Sequence, residues 1–363
     1  MTYFSLTSIG YLLIFFDIVL YLIGLNVSST PVLLVSTFIM GLYMINFFEI
    51  ILQPLNLRVK VQMPLLVKEN EYEFINIYFE NNSKIPKGQV FINLQGKTPL
   101  GGLRGKEKKE ISIYFHFKKR GIFYLKTLNL RFTGTLGLLY LSKNYKVDGV
   151  TYIYPSFYPL SQDIYLTDGE GNKTSSSFLS VIGEEFHSLR DYQPQDPLKI
   201  VAWKASAKKG KLLSKNFEKL KKGSLMILID NSVDKKDSIA EEEFDQLLRF
   251  VHSLLIPSFS LNIPLSIRDL RGEEEFNPKT SDELKKYLAE IQLIERRNIS
   301  FKNYDYDIIF TLNYRFWDEK VKINKIIGVE YHKKEIVLNK GFIFSLGDDP
   351  QEFLSRFLVL NQS

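Results

Sequence analysis

Four histidines, no cysteine and a few closely spaced acids are the raw material for chemistry in this chain. His116, His187, His252 and His332 are scattered without metal-ligand spacing. No His-Glu-x-x-His, Gly-x-Ser-x-Gly or cysteine nucleophile occurs, so the common hydrolase signatures are absent. Lack of cysteine also removes disulfides, thiolate-ligated zinc and redox sensing. Glu184, Glu185, His187 and Asp191 cluster, but inside a segment whose pattern is structural. Gln95–Gly96–Lys97–Thr98 mimics the end of a phosphate-binding loop; Phe91 stands where the upstream glycine belongs, and strands rather than a helix follow. What remains is one polar loop, Asp230–Asn231–Ser232–Val233–Asp234, directly after the apolar run Leu225–Asp230. A metal-dependent enzyme or ligand-binding module built on that loop is the alternative reading of function. The preferred reading is that the chain is not an enzyme.

The loop needs a scaffold, and the surrounding pattern supplies one. From residue 224 onward short apolar runs alternate with amphipathic stretches. Ser238 and Glu241 form a capping box before a helix carrying Phe244, Leu247, Leu248, Val251, Leu254 and Leu255. Thr280 and Glu283 form a second box before Leu284, Leu288 and Ile291. Leu265–Ile267, Asp307–Leu312, Lys325–Glu330 and Phe342–Leu346 read as further strands, and Asp349–Pro350 opens a last helix. Strand–helix alternation predicts a mainly parallel, doubly wound sheet over 224–363, with ligands at the carboxyl ends of its strands.

Residues 56–160 carry a different period. In Glu110–Phe117, Ile111, Ile113, Phe115 and Phe117 alternate with Ser112, Tyr114 and His116; Val90, Ile92 and Leu94, and Leu128, Leu130 and Phe132, do the same. Turn signals at Asn81–Asn82–Ser83, Gly101–Gly102 and Arg120–Gly121 separate them. This predicts an antiparallel, immunoglobulin-like β-sandwich.

Before Arg58 the chain contains no lysine or arginine. Residues 9–27 and 31–52 are apolar runs close to the ~20 residues that span the hydrocarbon layer as a helix. A turn at Ser28–Ser29–Thr30–Pro31 makes residues 1–55 a transmembrane hairpin; a signal peptide would carry a basic leader and no second span. Arg58, Lys60 and Lys68 follow the second span, and the positive-inside rule then puts both ends in the cytosol. The expected location is the bacterial inner membrane, with the soluble domains facing the cytosol. Asp17 falls near mid-membrane depth, where bonding to the neighbouring helix, near Thr37 or Tyr43, is expected rather than ion relay.

Between sandwich and α/β domain lies residues 161–223. Its core, Gly183–Glu218, reads as a helix capped by Asp196, with Pro197 first, Leu198, Val201, Ala202 and Ala205 inward, and Gly210 closing it. Trp203 is expected to pack that helix against the sheet. A basic run of Lys204, Lys208, Lys209, Lys211, Lys215, Lys219, Lys221 and Lys222 is answered locally by Glu218 alone. With so few interleaved aromatics it is not expected to bind nucleic acid.

Glu185–Phe186, Leu189–Arg190–Asp191–Tyr192, Pro194–Gln195–Asp196–Pro197, Trp203–Ala207 and Leu212–Glu218 together resemble the signature of the bacterial domain-of-unknown-function family fifty-eight. Arg120–Gly121–Ile122–Phe123 and Leu136–Gly137–Leu138–Leu139 are similar to two further elements of that family. Gln195 replaces a glycine, Asp191 a glutamate and Lys199 an arginine. The resemblance implies a von Willebrand factor A-like domain after the signature and a partner that is a MoxR-type AAA+ ATPase. It implies a membrane-tethered assembly scaffold, in which Arg190, Asp191, Tyr192, Asp196, Trp203, Lys204, Lys208, Lys209, Lys211 and Lys215 form the partner-binding surface. The metal motif of that fold resembles Asp-x-Ser-x-Ser, so Asp230, Ser232 and Asp234 are the candidate ligands and Mg2+ the candidate cofactor. The distant threonine and aspartate that complete such a site are not identifiable in the sequence. Lipid is the other expected partner, through the hairpin.

Overall fold

A computed structural model describes residues 2–158, 185–192, 201–218, 225–260, 263–271, 274–295, 306, 308–313, 326–330 and 341–345. The chain divides into two compact units, Met1–Ile153 and Tyr154–Ser363.

In the first unit, strand β1 (Thr2–Leu6) precedes helices α1 (Ser8–Asn26) and α2 (Thr30–Leu52). Both helices are long and apolar enough to cross a membrane. Only 11% of each apolar window is buried, whereas a core helix of a soluble domain would be mostly covered. Asp17 of α1 accepts a hydrogen bond from Ser36 Oγ of α2 at 2.7 Å. The partner is thus the neighbour of Thr37, which instead bonds back to Leu34 within its own helix, while Tyr43 donates to the Gly10 carbonyl.

Eight strands follow: β2 (Leu57–Gln62), β3 (Leu66–Lys68), β4 (Glu71–Asn81), β5 (Lys87–Asn93), β6 (Lys97–Leu103), β7 (Lys108–Phe117), β8 (Gly121–Thr133) and β9 (Leu139–Tyr154). One sheet runs β1-β9-β8-β5-β6 with β3 also on β9; the other runs β2-β4-β7. Alternation in each strand sends one row inward, so Ile75, Ile77 and Phe79 of β4, Val90 and Ile92 of β5, Ile113, Phe115 and Phe117 of β7, and Leu128, Leu130 and Phe132 of β8 share one core. The two-layer antiparallel module predicted for 56–160 is present, and Gln95–Gly96 is the β5–β6 turn. His116 lies on the outer face, its Nε2 2.9 Å from Asn70 Oδ1.

The hairpin and the sandwich are built as one body. Ile50 of α2 is fully buried in the sandwich core. The β8–β9 turn meets both helices: Thr7 donates to the carbonyls of Gly137 and Leu138, and Asn46 Oδ1 accepts from Leu139 N at 3.1 Å. Glu49 accepts from Thr135 N and Oγ1, at 2.9 and 2.5 Å. Lys87 is buried, and its ammonium donates to the Leu52 and Leu55 carbonyls, the orphan acceptors where α2 ends. Burial lowers the Lys87 pKa from its ordinary value. Strand β1, which the sequence pattern missed, pairs antiparallel with β9 from Thr2↔Lys143 to Leu6↔Leu139. Its residues merge with the apolar run of α1, which hides a short edge strand.

In the second unit come β10 (Glu185–Asp191), α3 (Trp203–Lys209), β11 (Leu213–Glu218), β12 (Leu225–Asp230), β13 (Ser232–Val233), α4 (Ser238–Ser260), β14 (Leu265–Asp269), α5 (Ser281–Glu290), β15 (Ile294–Glu295), β16 (Ile308–Thr311), β17 (Ile326–Glu330) and β18 (Gly341–Ser345). The order β14-β12-β16-β17-β18 is parallel throughout. Ile227, Ile229, Ile267, Ile308 and Phe310 pack with Phe244, Leu247 and Leu254 of α4 and Leu284 and Leu288 of α5. Leu228 and Ile309 alternate to the opposite face and are buried too, so the sheet is covered on both sides. The predicted box at Thr280 forms, with Glu283 N bonded to Thr280 Oγ1 and Glu283 Oε2 accepting from Lys279 N. The predicted box at Ser238 does not. Asp237 takes the cap instead, its Oδ1 accepting from Ala240 N at 2.9 Å, because the helix starts one residue earlier than the pattern implies. The predicted helix at Asp349–Pro350 lies outside the described residues.

Candidate functional site

Two places could do work, and the first is the carboxyl edge of the parallel sheet. Strand β12 sits between β14, which follows it in the chain, and β16, which continues in the other direction. That reversal is a topological switch point, where open α/β sheets leave a crevice. Asp230 closes β12 there and stands in register with Thr311 of β16. Asp230 Oδ1 accepts from Ser232 N at 3.0 Å and Ser232 Oγ at 2.6 Å. Its Oδ2 accepts from Thr311 Oγ1 at 2.7 Å, with Asn313 Nδ2 at 3.5 Å. Asn313 also donates to the Ser232 carbonyl at 2.6 Å. Asn231 ties the loop to the other neighbour, accepting from Leu270 N and donating to the Gln292 carbonyl.

Asp230, Asn231, Ser232 and Thr311 are all fully buried. A buried carboxylate survives only where donors replace water, and here both oxygens have them. The structure therefore brings Asp230 and Ser232 together and leaves Asp234 exposed. Thr311 and Asn313 complete the cluster. They follow the apolar run Ile308–Phe310 directly, a polar Thr-x-Asn ending that only the strand register connects to Asp230.

This donor set does not fit a resident Mg2+. The hydroxyls are hard oxygens, but they are turned to donate to the only carboxylate of the cluster, and the second acid is at the surface. Among the described residues no group of three or more His, Asp or Glu could hold a metal. The cluster instead fastens the ends of β12 and β16.

Beside it, Asp269 ends β14 and meets Arg271 in a two-pronged pair, Nε–Oδ1 3.0 Å and Nη2–Oδ2 2.7 Å. Tyr287 of α5 donates to Oδ2 at 2.6 Å. Burial, the largest single influence, pushes the Asp269 carboxyl up; the Arg271 fork, the Tyr287 hydroxyl and the Arg271 N–H together outweigh it and hold the group below its ordinary value. Burial, then the facing Asp269 charge, raises Tyr287.

The signature segment is the second place. Its two ends are strands: β10 and β11 pair antiparallel, Glu185 opposite Glu218 and Asp191 opposite Leu213, with a bulge at His187. The helix between them is shorter than predicted, starting at Trp203, because Val201 bridges to Ser214 and Ala202 N bonds to the Leu213 carbonyl. Ser206 is buried under the turn, donating to the Ala202 carbonyl and accepting from Leu213 N, both at 2.9 Å. Gly210 closes α3 in the left-handed region, φ 65°, after Lys208 and Lys209 in the last turn. Trp203 does not pack the helix inward as expected. It is 61% exposed, because Val201, Ala202 and Ser206 already fill the inner side. Lys204, Lys208, Lys209, Lys211 and Leu212 are exposed with it, and Lys211 pairs with Asp191 at 2.7 Å. Tyr192 is half-buried, its N–H bonded to the Leu212 carbonyl. Arg190 and Lys215 lie in β10 and β11, while Asp196 is outside the described residues.

No family model matches the chain. A curated relative, the uncharacterized protein YeaD of Bacillus subtilis (strain 168), is 22% identical over 178 residues, covering 47% of this chain and 42% of YeaD. The chain thus spans less than half the length of that relative. Among solved structures, the CARDB domain of a Pyrococcus furiosus protein is similar at 12% identity, over 27% of this chain and 86% of that domain, with a TM-score of 0.19. A superoxide reductase (neelaredoxin) from Ignicoccus hospitalis covers 27% of this chain at 17% identity, over 85% of its own length and with a TM-score of 0.15.

Proposed function

We propose that this chain is a non-enzymatic, membrane-tethered scaffold that docks a partner protein through its signature segment. The observation that carries the reading is the exposure of Trp203 among lysines. Burying a tryptophan stabilises strongly, so one left in water on a short helix beside exposed Leu212 is a ready anchor for a partner. Lys204, Lys208, Lys209 and Lys211 around it, with Asp191 as their one ion-pair acceptor among the described residues, favour an acidic partner surface. The family resemblance makes that partner a MoxR-type AAA+ ATPase and the α/β unit a von Willebrand factor A-like domain. The basic residues after α2 support placement at the cytosolic face of the bacterial inner membrane.

Co-purification with a MoxR-type AAA+ ATPase from detergent extracts tests it. Trp203→Ala, and separately Lys208→Glu with Lys209→Glu and Lys211→Glu, should each weaken capture at least tenfold, with circular dichroism unchanged. Capture undiminished in both variants would defeat the docking surface. Saturation of Asp230 by hydrogen bonds argues against the metal-dependent alternative.

A further inference from the structure

The sheet β2-β4-β7 has an outer face, and its end nearest the hairpin is basic and concave. Four residues separate the end of α2 from the start of β2, so the first rungs of β2 lie beside the end of the hairpin. Register places Arg58, Glu80 and Lys108 on one rung and Lys60, Tyr78 and Glu110 on the next rung of the same face. These residues line a cavity of about 430 Å³. That is large enough for a phosphodiester headgroup.

Its charges are unequally matched. Glu80 is 3.2 Å from Lys108, and Glu110 lies against the Tyr78 hydroxyl, which also bonds Gln62 at 3.1 Å. No hydrogen bond or ion pair engages the side chain of Arg58 or Lys60 among the described residues. Two like charges on one strand face, ~7 Å apart, repel unless an anion lies between them. An arginine fork and a lysine at this separation match a phosphate that each can reach.

We infer that Arg58 and Lys60 form a binding site for the headgroup of an anionic phospholipid, at the rim where the hairpin enters the bilayer. The inference rests on the reading of α1 and α2 as membrane spans. It holds whichever face of the membrane the sandwich occupies. The bound lipid would neutralise the rim and fix the height of the sandwich above the hydrocarbon layer.

The experiment uses the full chain in neutral detergent micelles, titrated with didecanoyl phosphatidylglycerol, didecanoyl phosphatidylcholine or inorganic phosphate, and read by calorimetry. Saturable binding of phosphatidylglycerol alone is expected. Arg58→Gln with Lys60→Gln should lower its affinity on the order of tenfold or more. Lys118→Gln with Lys119→Gln, at the far end of β7, should leave it unchanged. Equal binding of phosphatidylcholine, equal binding of free phosphate, or undiminished binding by the Arg58/Lys60 variant would each overturn the site. Carbonate extraction of cell membranes tests the anchor separately: both variants should stay in the pellet, and their release would refute the anchor rather than the headgroup site.

Discussion

The position of Asp230 can be read from the sequence, but the partners of its carboxylate cannot. The apolar run before it and the polar loop after it mark a strand end at a sheet edge. Its neighbours Thr311 and Asn313 are about eighty positions away, and only the β12–β16 register joins them. Because Thr311 satisfies a fully buried carboxylate oxygen, Thr311→Val should cost about 1–3 kcal/mol, measured by urea unfolding. Calorimetry of the full chain with Mg2+ should show no heat at millimolar metal; clear saturable heat would restore the cation reading. Asp269 gives a pH dependence of known sign. Its folded pKa is depressed, so the stability it contributes is present above the unfolded value of ~3.9 and is lost as pH falls through the lower folded value. Arg271→Met should therefore flatten the acid side of the stability profile, seen as a smaller drop in urea midpoint between neutral and acid pH.

At the level of elements, period was informative and pairing was not. Alternation marked β5, β7 and β8, and capping chemistry located α5, because each signal is local. Asp196–Pro197 looks like a helix start, whereas the backbone around Val201 and Ala202 is claimed by β11. Hydrophobicity points Trp203 inward, although Ser206 and the β11 backbone take the inner side. The interlock of α1 with the β8–β9 turn offers a sharper test. A Cβ on Gly10 would lie 2.2 Å from the Leu138 carbonyl oxygen, a backbone atom with nowhere to go. Gly10→Val should lower the thermal midpoint in detergent and open the Gly134–Leu138 turn to protease, while Gly41→Val, where a Cβ meets open space, should do neither.

At the scale of the molecule, hairpin and sandwich are one unit although their compositions suggest two. Ile50 is in the sandwich core, Lys87 caps α2, and β1 completes a sheet edge. A chain started at residue 56 loses all three. Loss of a buried isoleucine alone is worth about 2–5 kcal/mol, so the truncated product should unfold at markedly lower temperature than the full chain in micelles. A truncated sandwich as stable as the full-length protein would show that the two merely adjoin.

The edge pairing of β1 with β9 has a consequence for biosynthesis. Strand β1 and the Thr7 that follows it cannot find their partners until the stretch around Leu138 has been made, a separation of 131 positions at Thr7. With α1 and α2 lying between, β1 must stay within reach of the sandwich while β2 to β8 are made. A bulky insertion directly ahead of Thr2 would obstruct that late closure and leave β9 with an unprotected margin open to another chain.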